Sequence, residues 1–419
     1  MTPAEMNWAG NITFGARRLC VPRSEAELRE TVAASSSVRP LGTRHSFNTV
    51  ADTKGDLVSV AALPRVVDID PAERTVTVSA GLRFGEFAGE LHESGFALHN
   101  LGSLPHISVA GACATGTHGS GAANRSLAGA VRALELVTAD GGTLALRRGD
   151  PDFPGAVVSL GALGVVTRLT LDLVPAFDVQ QWVYEELPEA TLTESFDAVM
   201  AAAYSVSVFT DWRPGPVGQV WLKERVGDEG PRQAPDRRFG ARLADGPRHP
   251  IPGVPAGNCT RQLGAAGPWH RRLPHFRLEF TPSNGDELQS EYFVAREDAA
   301  AAYEAVGRLR DRITPLLQIS EIRSVAGDDL WLSPAGGRDS VAFHFTWVPD
   351  AAAVAPVLRE IEEALAPFGA RPHWGKVFGT EPGVLRTLYG RYEDFEKLVA
   401  RHDPAGTFRN DFLDRHLAR

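Results

Sequence analysis

At 419 residues the chain is longer than one ordinary hydrophobic core supports, so two or three domains are expected. Hydrophobic residues make up 43% and charged residues 23%, which excludes disorder as the default state. The formal net charge of -9, with no basic tract, excludes nucleic acid as a main partner.

Residues 1–16 hold no apolar stretch behind basic residues, so no secretory signal is expected. Residues 24–34 predict a capped helix, with Ser24 as N-cap and acids in the first turn. β-rich runs follow at 57–61, 66–69 and 75–79, the last two joined by a turn at Asp70-Pro71-Ala72-Glu73. Helical spacing returns over 84–94. Segments 131–137 and 143–147 predict a hairpin through Asp140-Gly141-Gly142, and 165–174 predicts a further strand. Residues 1–175 thus predict an α+β unit, without the strand–helix alternation of a doubly wound parallel sheet.

From about residue 176 Pro, Gly and Trp become frequent, and 226–270 is rich in loop residues. Amphipathic helices are predicted over 297–313 and 351–366. Cys20, Cys113 and Cys259 are widely spaced with no Cys-x-x-Cys pair, so neither a disulfide framework nor a zinc site is expected. No run approaches the roughly 20 apolar residues of a spanning helix, so no membrane partner and a cytoplasmic location are expected.

Four segments carry the chemistry. In Leu41-Gly42-Thr43-Arg44-His45-Ser46-Phe47-Asn48, a glycine after a short apolar run allows a tight turn that presents an imidazole. Alone, a loop histidine of this kind is more often a structural residue. The long stretch 102–121 has glycines that let successive N–H groups converge on an anion such as a pyrophosphate. It matches neither Gly-x-Gly-x-x-Gly after a strand nor a nucleotide P-loop.

Strand periodicity supplies the third set. In 341–348, Val341, Phe343, Phe345 and Trp347 fall on one face, with His344 and Thr346 on the other. Glu321 and Arg323 alternate around Ile322, and His275, Arg277 and Glu279 alternate with Phe276, Leu278 and Phe280. Three strands with such faces predict a cleft, because a hydroxyl-rich substrate needs donors and acceptors in alternation. Finally, Arg371-Pro372-His373-Trp374-Gly375-Lys376 sets a lysine among aromatics.

In this order the segments resemble the vanillyl-alcohol oxidase (PCMH-type) FAD family, most closely its bacterial alditol oxidase (xylitol oxidase) branch and then the aldonolactone oxidases. The resemblance runs from Asn7-Trp8-Ala9-Gly10-Asn11 to the end of the chain. It implies a two-part PCMH-type FAD-binding domain and a cap domain on a mainly antiparallel sheet flanked by helices. The implied boundaries are 1–175 for the FAD domain, 176–370 for the cap, and 371–419 for a segment returning to the FAD domain.

The resemblance further implies FAD joined covalently through its 8α position to His45. Leu41, Gly42, Thr43, Arg44, Ser46 and Phe47 would contact the cofactor around that link. So would Ser103, Ser108, Gly111, Ala114, Thr115, Gly116, Thr117 and His118 from the glycine-rich loop. Gly161, Gly164, Val166, His373 and Asn410 complete the implied cofactor set. Ser103, Glu321, Arg323, Thr346 and Lys376 are the implied polyol-binding residues, and His344, Lys376 and Arg323 the implied catalytic ones. No metal ligand is expected.

The implied reaction is oxidation of the C1 hydroxyl of an alditol such as xylitol or sorbitol to the aldose, by a monomer, with O2 reduced to H2O2. An aldonolactone oxidase or dehydrogenase is the alternative within the family, and a carbohydrate-binding protein on a degraded flavoprotein scaffold is the alternative outside it. Arg44 stands where many relatives have glycine, so a turn that needs positive φ would be strained there.

Overall fold

The computed structural model describes residues 5–280 and 286–418. Near the N-terminus, Arg18–Cys20, Asp56–Val58 and Val38–Pro40 form a small parallel sheet with Asp56–Val58 in the middle. The helix Glu25–Ala33 crosses between its outer strands, and Ser24 caps it by accepting from the Glu27 amide. A five-stranded antiparallel sheet follows in the order Val67–Asp70, Thr75–Ser79, Val165–Asp172, Val131–Val137, Thr143–Arg147. The helix Phe84–Glu93 buries Phe84, Phe87 and Leu91 in the same core as Val76, Val78 and Leu169.

The second half is built on a ten-stranded sheet whose strand pairs are all antiparallel. Its centre runs Val217–Arg225, Ser205–Thr210, Leu317–Val325, Ser340–Trp347, Leu288–Ala295. Phe343, Phe345 and Trp347 point to one face, where Val354, Leu358 and Ile361 of the helix Ala351–Leu365 cover them. The period of two therefore works as read: the apolar side goes to the helices, and His344 and Thr346 are left for the opposite side.

Arg371–Pro372 adds to this sheet beside Leu288–Ala295, and the chain then returns to the first core. Leu385, Tyr389, Tyr392, Phe395 and Leu413 pack there. Arg39, fully buried, ties the return in place by donating to the carbonyls of Phe408, Leu160, Val50 and Gly161.

Two expected elements differ. Residues 275–279 are not a strand, and only Phe276 makes an isolated bridge, to Cys259. Pro274 precedes them, and the His275 amide donates to the Ser103 carbonyl and the Arg277 amide to that of Asn258, so loops take the donors a sheet partner would need. Arg277 and Glu279 are consequently exposed, with Arg277 stacked on Phe280, and neither faces the cleft. The predicted helix over 297–313 breaks into Ala299–Gly307 and Arg310–Ile313, and the Arg310 side chain caps the Gly307 carbonyl at 2.8 Å.

Candidate active site

The turn at 41–48 is held from three directions. The Leu41 amide donates to the Val58 carbonyl, the Phe47 amide to Gly375, and Asn48 Nδ2 to the carbonyls of Trp374 and Lys376. The same clamp thus fixes the loop that carries Lys376. Arg44 adopts φ 66°, the left-handed conformation that glycine accepts at no cost. His45 follows it, stacked on Trp8 with ring centroids 5.3 Å apart and planes at 17°. Among the described residues, neither of its nitrogens makes a hydrogen bond of normal geometry. Burial, with the nearby His106 adding to it, lowers its pKa to about 4, so the ring is neutral and carries a free lone pair.

The glycine-rich loop lies against this turn, and the Ser108 amide donates to Thr43 Oγ1 at 3.1 Å. A Cβ at Gly42 or at Gly111 would sit 2.6 or 2.8 Å from Ser108 Oγ, so only glycine lets the two loops approach this closely. Ser108 Oγ is buried without a partner among the described residues. A cradle that closely packed glycines keep open, with an orphaned hydroxyl beside it, fits a phosphate-bearing flavin, whose phosphate oxygens would accept from that hydroxyl.

One cavity of about 320 Å³ runs from this cradle to the open face of the large sheet. Leu41, Thr43, Ser46, Phe47, Ser103, Ala114, Thr115, Thr117, His118 and His373 line it with His45, Arg44 and Ser108, as do Gly161, Gly164 and Val166. Two expected cofactor residues do not. Gly116 turns away at φ 71°, with Pro334 where its Cβ would be. Asn410 caps the helix Asp411–His416, and its amide donates to the carbonyls of Thr49, Val50 and Asp52.

The other wall is polar and follows strand register. Phe209, Glu321, His344 and Glu291 sit opposite one another on four neighbouring strands and form a row across the sheet. Arg323 lies two residues from Glu321 on the same face, and Thr346 two from His344. Glu291 was not singled out by the sequence. It is the centre of the wall: its side chain is 0% exposed, and it accepts from Lys376 Nζ at 2.7 Å, Arg323 Nη2 at 2.7 Å and His118 Nε2 at 3.2 Å. The signal available was the alternation Gln289, Glu291, Phe293 against Ser290 and Tyr292.

Burial opposes ionisation of Glu291, but Lys376, Arg323 and His118 hold its carboxyl well below the usual range. Burial draws Lys376 down from the usual ammonium value while Glu291 opposes. Lys376 Nζ also contacts His344 Nδ1, and His344 Nε2 lies 3.1 Å from Thr346 Oγ1. An ammonium can only donate, so Nδ1 is the acceptor and the ring proton sits on Nε2. Burial, reinforced by Lys376, lowers His344 to about 4 and keeps it neutral. Arg323 Nη1 reaches Ser103 Oγ at 3.3 Å, which joins the glycine-rich loop to the sheet. The arrangement sets a neutral base, an ammonium, a guanidinium, two carboxylates and two hydroxyls beside the cradle.

Residues 16–147 match the FAD binding domain family, and residues 287–416 match the D-arabinono-1,4-lactone oxidase family. The chain is 53% identical to an alditol oxidase of Streptomyces sp. (strain IKD472 / FERM P-14339) over 416 residues, covering 99% of each chain. It is 31% identical to an L-gulono-1,4-lactone dehydrogenase of Mycobacterium tuberculosis over the full length of both. Among solved structures, the cholesterol oxidase of B. sterolicum superposes with a TM-score of 0.77 at 18% identity, covering 99% of this chain and 96% of that one. At that identity the likeness is one of fold.

Proposed function

Because the chain belongs to the FAD-binding family of alditol and aldonolactone oxidases, we propose that it oxidises the C1 hydroxyl of alditols of the xylitol and sorbitol class to the aldose, with O2 reduced to hydrogen peroxide. The observation that carries this reading is the Lys376–His344 pair, an ammonium against a neutral imidazole at the mouth of a row of hydroxyl-binding groups.

The turn at 41–47 and the loop at 103–118 would hold FAD, with Gly161, Gly164, Val166 and His373 closing around it, and His45 as the site of an 8α-histidyl bond. When bound, FAD supplies the two-electron acceptor for the C1 hydride. The chain's own residues handle the rest. The substrate hydroxyl enters between Lys376 and His344, so that Lys376 Nζ–H donates to the oxygen and the hydroxyl proton faces His344 Nδ1. The ammonium lowers the cost of developing negative charge on that oxygen, and His344 Nδ1 takes the proton. Ser103, Glu321, Arg323 and Thr346 hold the remaining hydroxyls by offering donors and acceptors in alternation. The enzyme is read as a cytoplasmic monomer in which residues 1–175 and 371–419 hold the flavin and 176–370 cap it.

Aldonolactone oxidation is the second reading, favoured by the lactone oxidase match over 287–416, which includes Glu291, Glu321, Arg323, His344 and Lys376. Purified protein given xylitol or sorbitol decides between them. Bleaching of the flavin without air and peroxide under air are expected; bleaching by a lactone and by no open polyol would replace the first reading with the second.

A further inference from the structure

Behind Glu321 lies a second buried chain of groups that the proposed reaction does not use. Lys223, on the strand Val217–Arg225, is 1% exposed. Its Nζ contacts the Leu273 carbonyl, the Pro274 carbonyl at 3.1 Å and His275 Nδ1 at 3.1 Å, so each of its three donors has an acceptor. His275 Nε2 lies 2.7 Å from Glu321 Oε1. The His275 ring is locked edge-on between Trp221 and Phe209, at centroid distances of 5.1 and 5.6 Å. Ser207 Oγ stands 3.5 Å from the same Nε2.

A neutral imidazole has one ring proton, and burial with Lys223 beside it lowers His275 to about 4. Glu321 Oε1, 2.7 Å from Nε2, can only accept, so that proton sits on Nε2, and Lys223 donates to the bare Nδ1. The other carboxylate oxygen, Oε2, is 3.6 Å from Arg323 Nε, too far for a hydrogen bond. The clamp therefore uses one oxygen of Glu321 and leaves the other as an acceptor in the cavity that Glu321 and His275 both line.

We infer that Lys223 and His275 are positioning residues which, by fixing Glu321 Oε1, present Glu321 Oε2 to the hydroxyls of an open-chain polyol and so set its binding. This rests on the reading of the site as a polyol oxidase. The relay differs from a mere packing contact in one respect: its effect passes through an N–H donated to Oε1, so any side chain restoring that N–H should restore it.

The test uses the full-length flavin-loaded protein. His275→Leu is expected to raise KM for xylitol about tenfold or more, the size of a lost hydrogen bond to a charged group, with kcat within about threefold and the flavin spectrum unchanged. His275→Gln, whose amide can donate to Oε1, recovers most of that loss. In wild-type protein, 15N NMR of labelled histidine should show His275 as the Nε2-protonated tautomer, and Lys223→Met should shift the Nδ1 resonance while leaving the proton on Nε2. A flavin-loaded His275→Leu with unchanged KM, equal KM for the Leu and Gln variants, or an Nδ1-protonated His275 in wild type overturns the relay. The NMR measurement needs neither substrate nor a substituted site, so it decides the relay where the Leu variant fails to fold. Wild-type protein that turns over no polyol refutes the assigned reaction instead and leaves the tautomer measurement to judge the clamp.

Discussion

Glu291 Oε2 accepts from Lys376 Nζ at 2.7 Å, and the other oxygen of the same fully buried carboxylate accepts from Arg323 and His118. One acid thus balances two cations that both face the cavity. Glu291→Gln keeps the shape and removes the charge, leaving Lys376 without its carboxylate partner and Arg323 with only Glu321, 3.6 Å away, in a buried site. Breaking a buried pair in this way costs about 3–5 kcal/mol, so a lower melting temperature and a fall in kcat/KM of about a hundredfold or more are expected. Since Glu291 raises the Lys376 pKa, its removal should also move the alkaline limb of the kcat/KM profile to lower pH. An unmoved limb would mean that the limb belongs to another group.

The residue before His45 gives a second prediction. Arg44 is held at φ 66°, where an L side chain costs about 1–2 kcal/mol relative to glycine. Its ion pair with Glu5 has both side chains more than a third exposed and offsets little of that. Arg44→Gly is therefore expected to leave the melting temperature unchanged or raise it by a few degrees, and to keep the proposed flavin bond at His45. His45→Ala should yield a protein whose acid precipitate is colourless, because the loops hold FAD only non-covalently. A yellow precipitate from His45→Ala would place the bond elsewhere.

These two residues also mark what was legible in the sequence. The His45 turn, the glycine-rich loop and the alternation of 341–347 could be read because each depends on local rules: a tight turn, close backbone approach and the two-residue period of a strand. Glu291 could not be read. Its importance comes from strand order, which brings 288–295 beside 340–347, and from a loop more than eighty residues further on that supplies Lys376. His275 was read as part of a strand face and instead sits in a loop, yet it still meets Glu321, because Lys223 holds its Nδ1 and the Ser103 carbonyl its backbone amide. Asn410 shows the other side of this: it lies in a recognisable segment, and its amide closes the fold by donating to the carbonyls of Thr49, Val50 and Asp52.

Acid should weaken the fold through the same buried groups. An unfolded histidine takes its proton near 6.5, but His275 and His344 in the fold resist until about 4, chiefly through burial. Between those values the unfolded chain binds more protons, so stability is complete above about 6.5 and is lost as pH falls towards 4. Glu291 and Glu321, held below their usual range by neighbouring cations, add loss of the same sign once pH drops below about 4.5. Thermal unfolding followed from pH 7.5 to 4 should give a melting temperature that is steady at first and declines below about 6.5. A flat profile down to pH 4 would mean that these histidines are already protonated in the folded state.

The contact between Lys376 Nζ and His344 Nδ1 makes the sharpest demand on the mechanism. If the substrate hydroxyl enters between the two, the ammonium acts on its oxygen and the imidazole on its proton, so the pair forms a single device. Lys376→Met should keep the flavin, since the lysine contacts the cavity and not the 41–48 backbone clamp, which uses its carbonyl. It should lower kcat by about 10²–10⁴, the usual contribution of a positioned proton-transfer group, and His344→Gln should do the same. Groups that work as a unit are not additive, so the double variant should lose little more than the worse single one. That cycle is measured as kcat with xylitol in air-saturated buffer, with flavin content checked for every variant. Losses that multiply would instead assign the two residues to separate tasks, with Lys376 binding the polyol and His344 alone taking the proton.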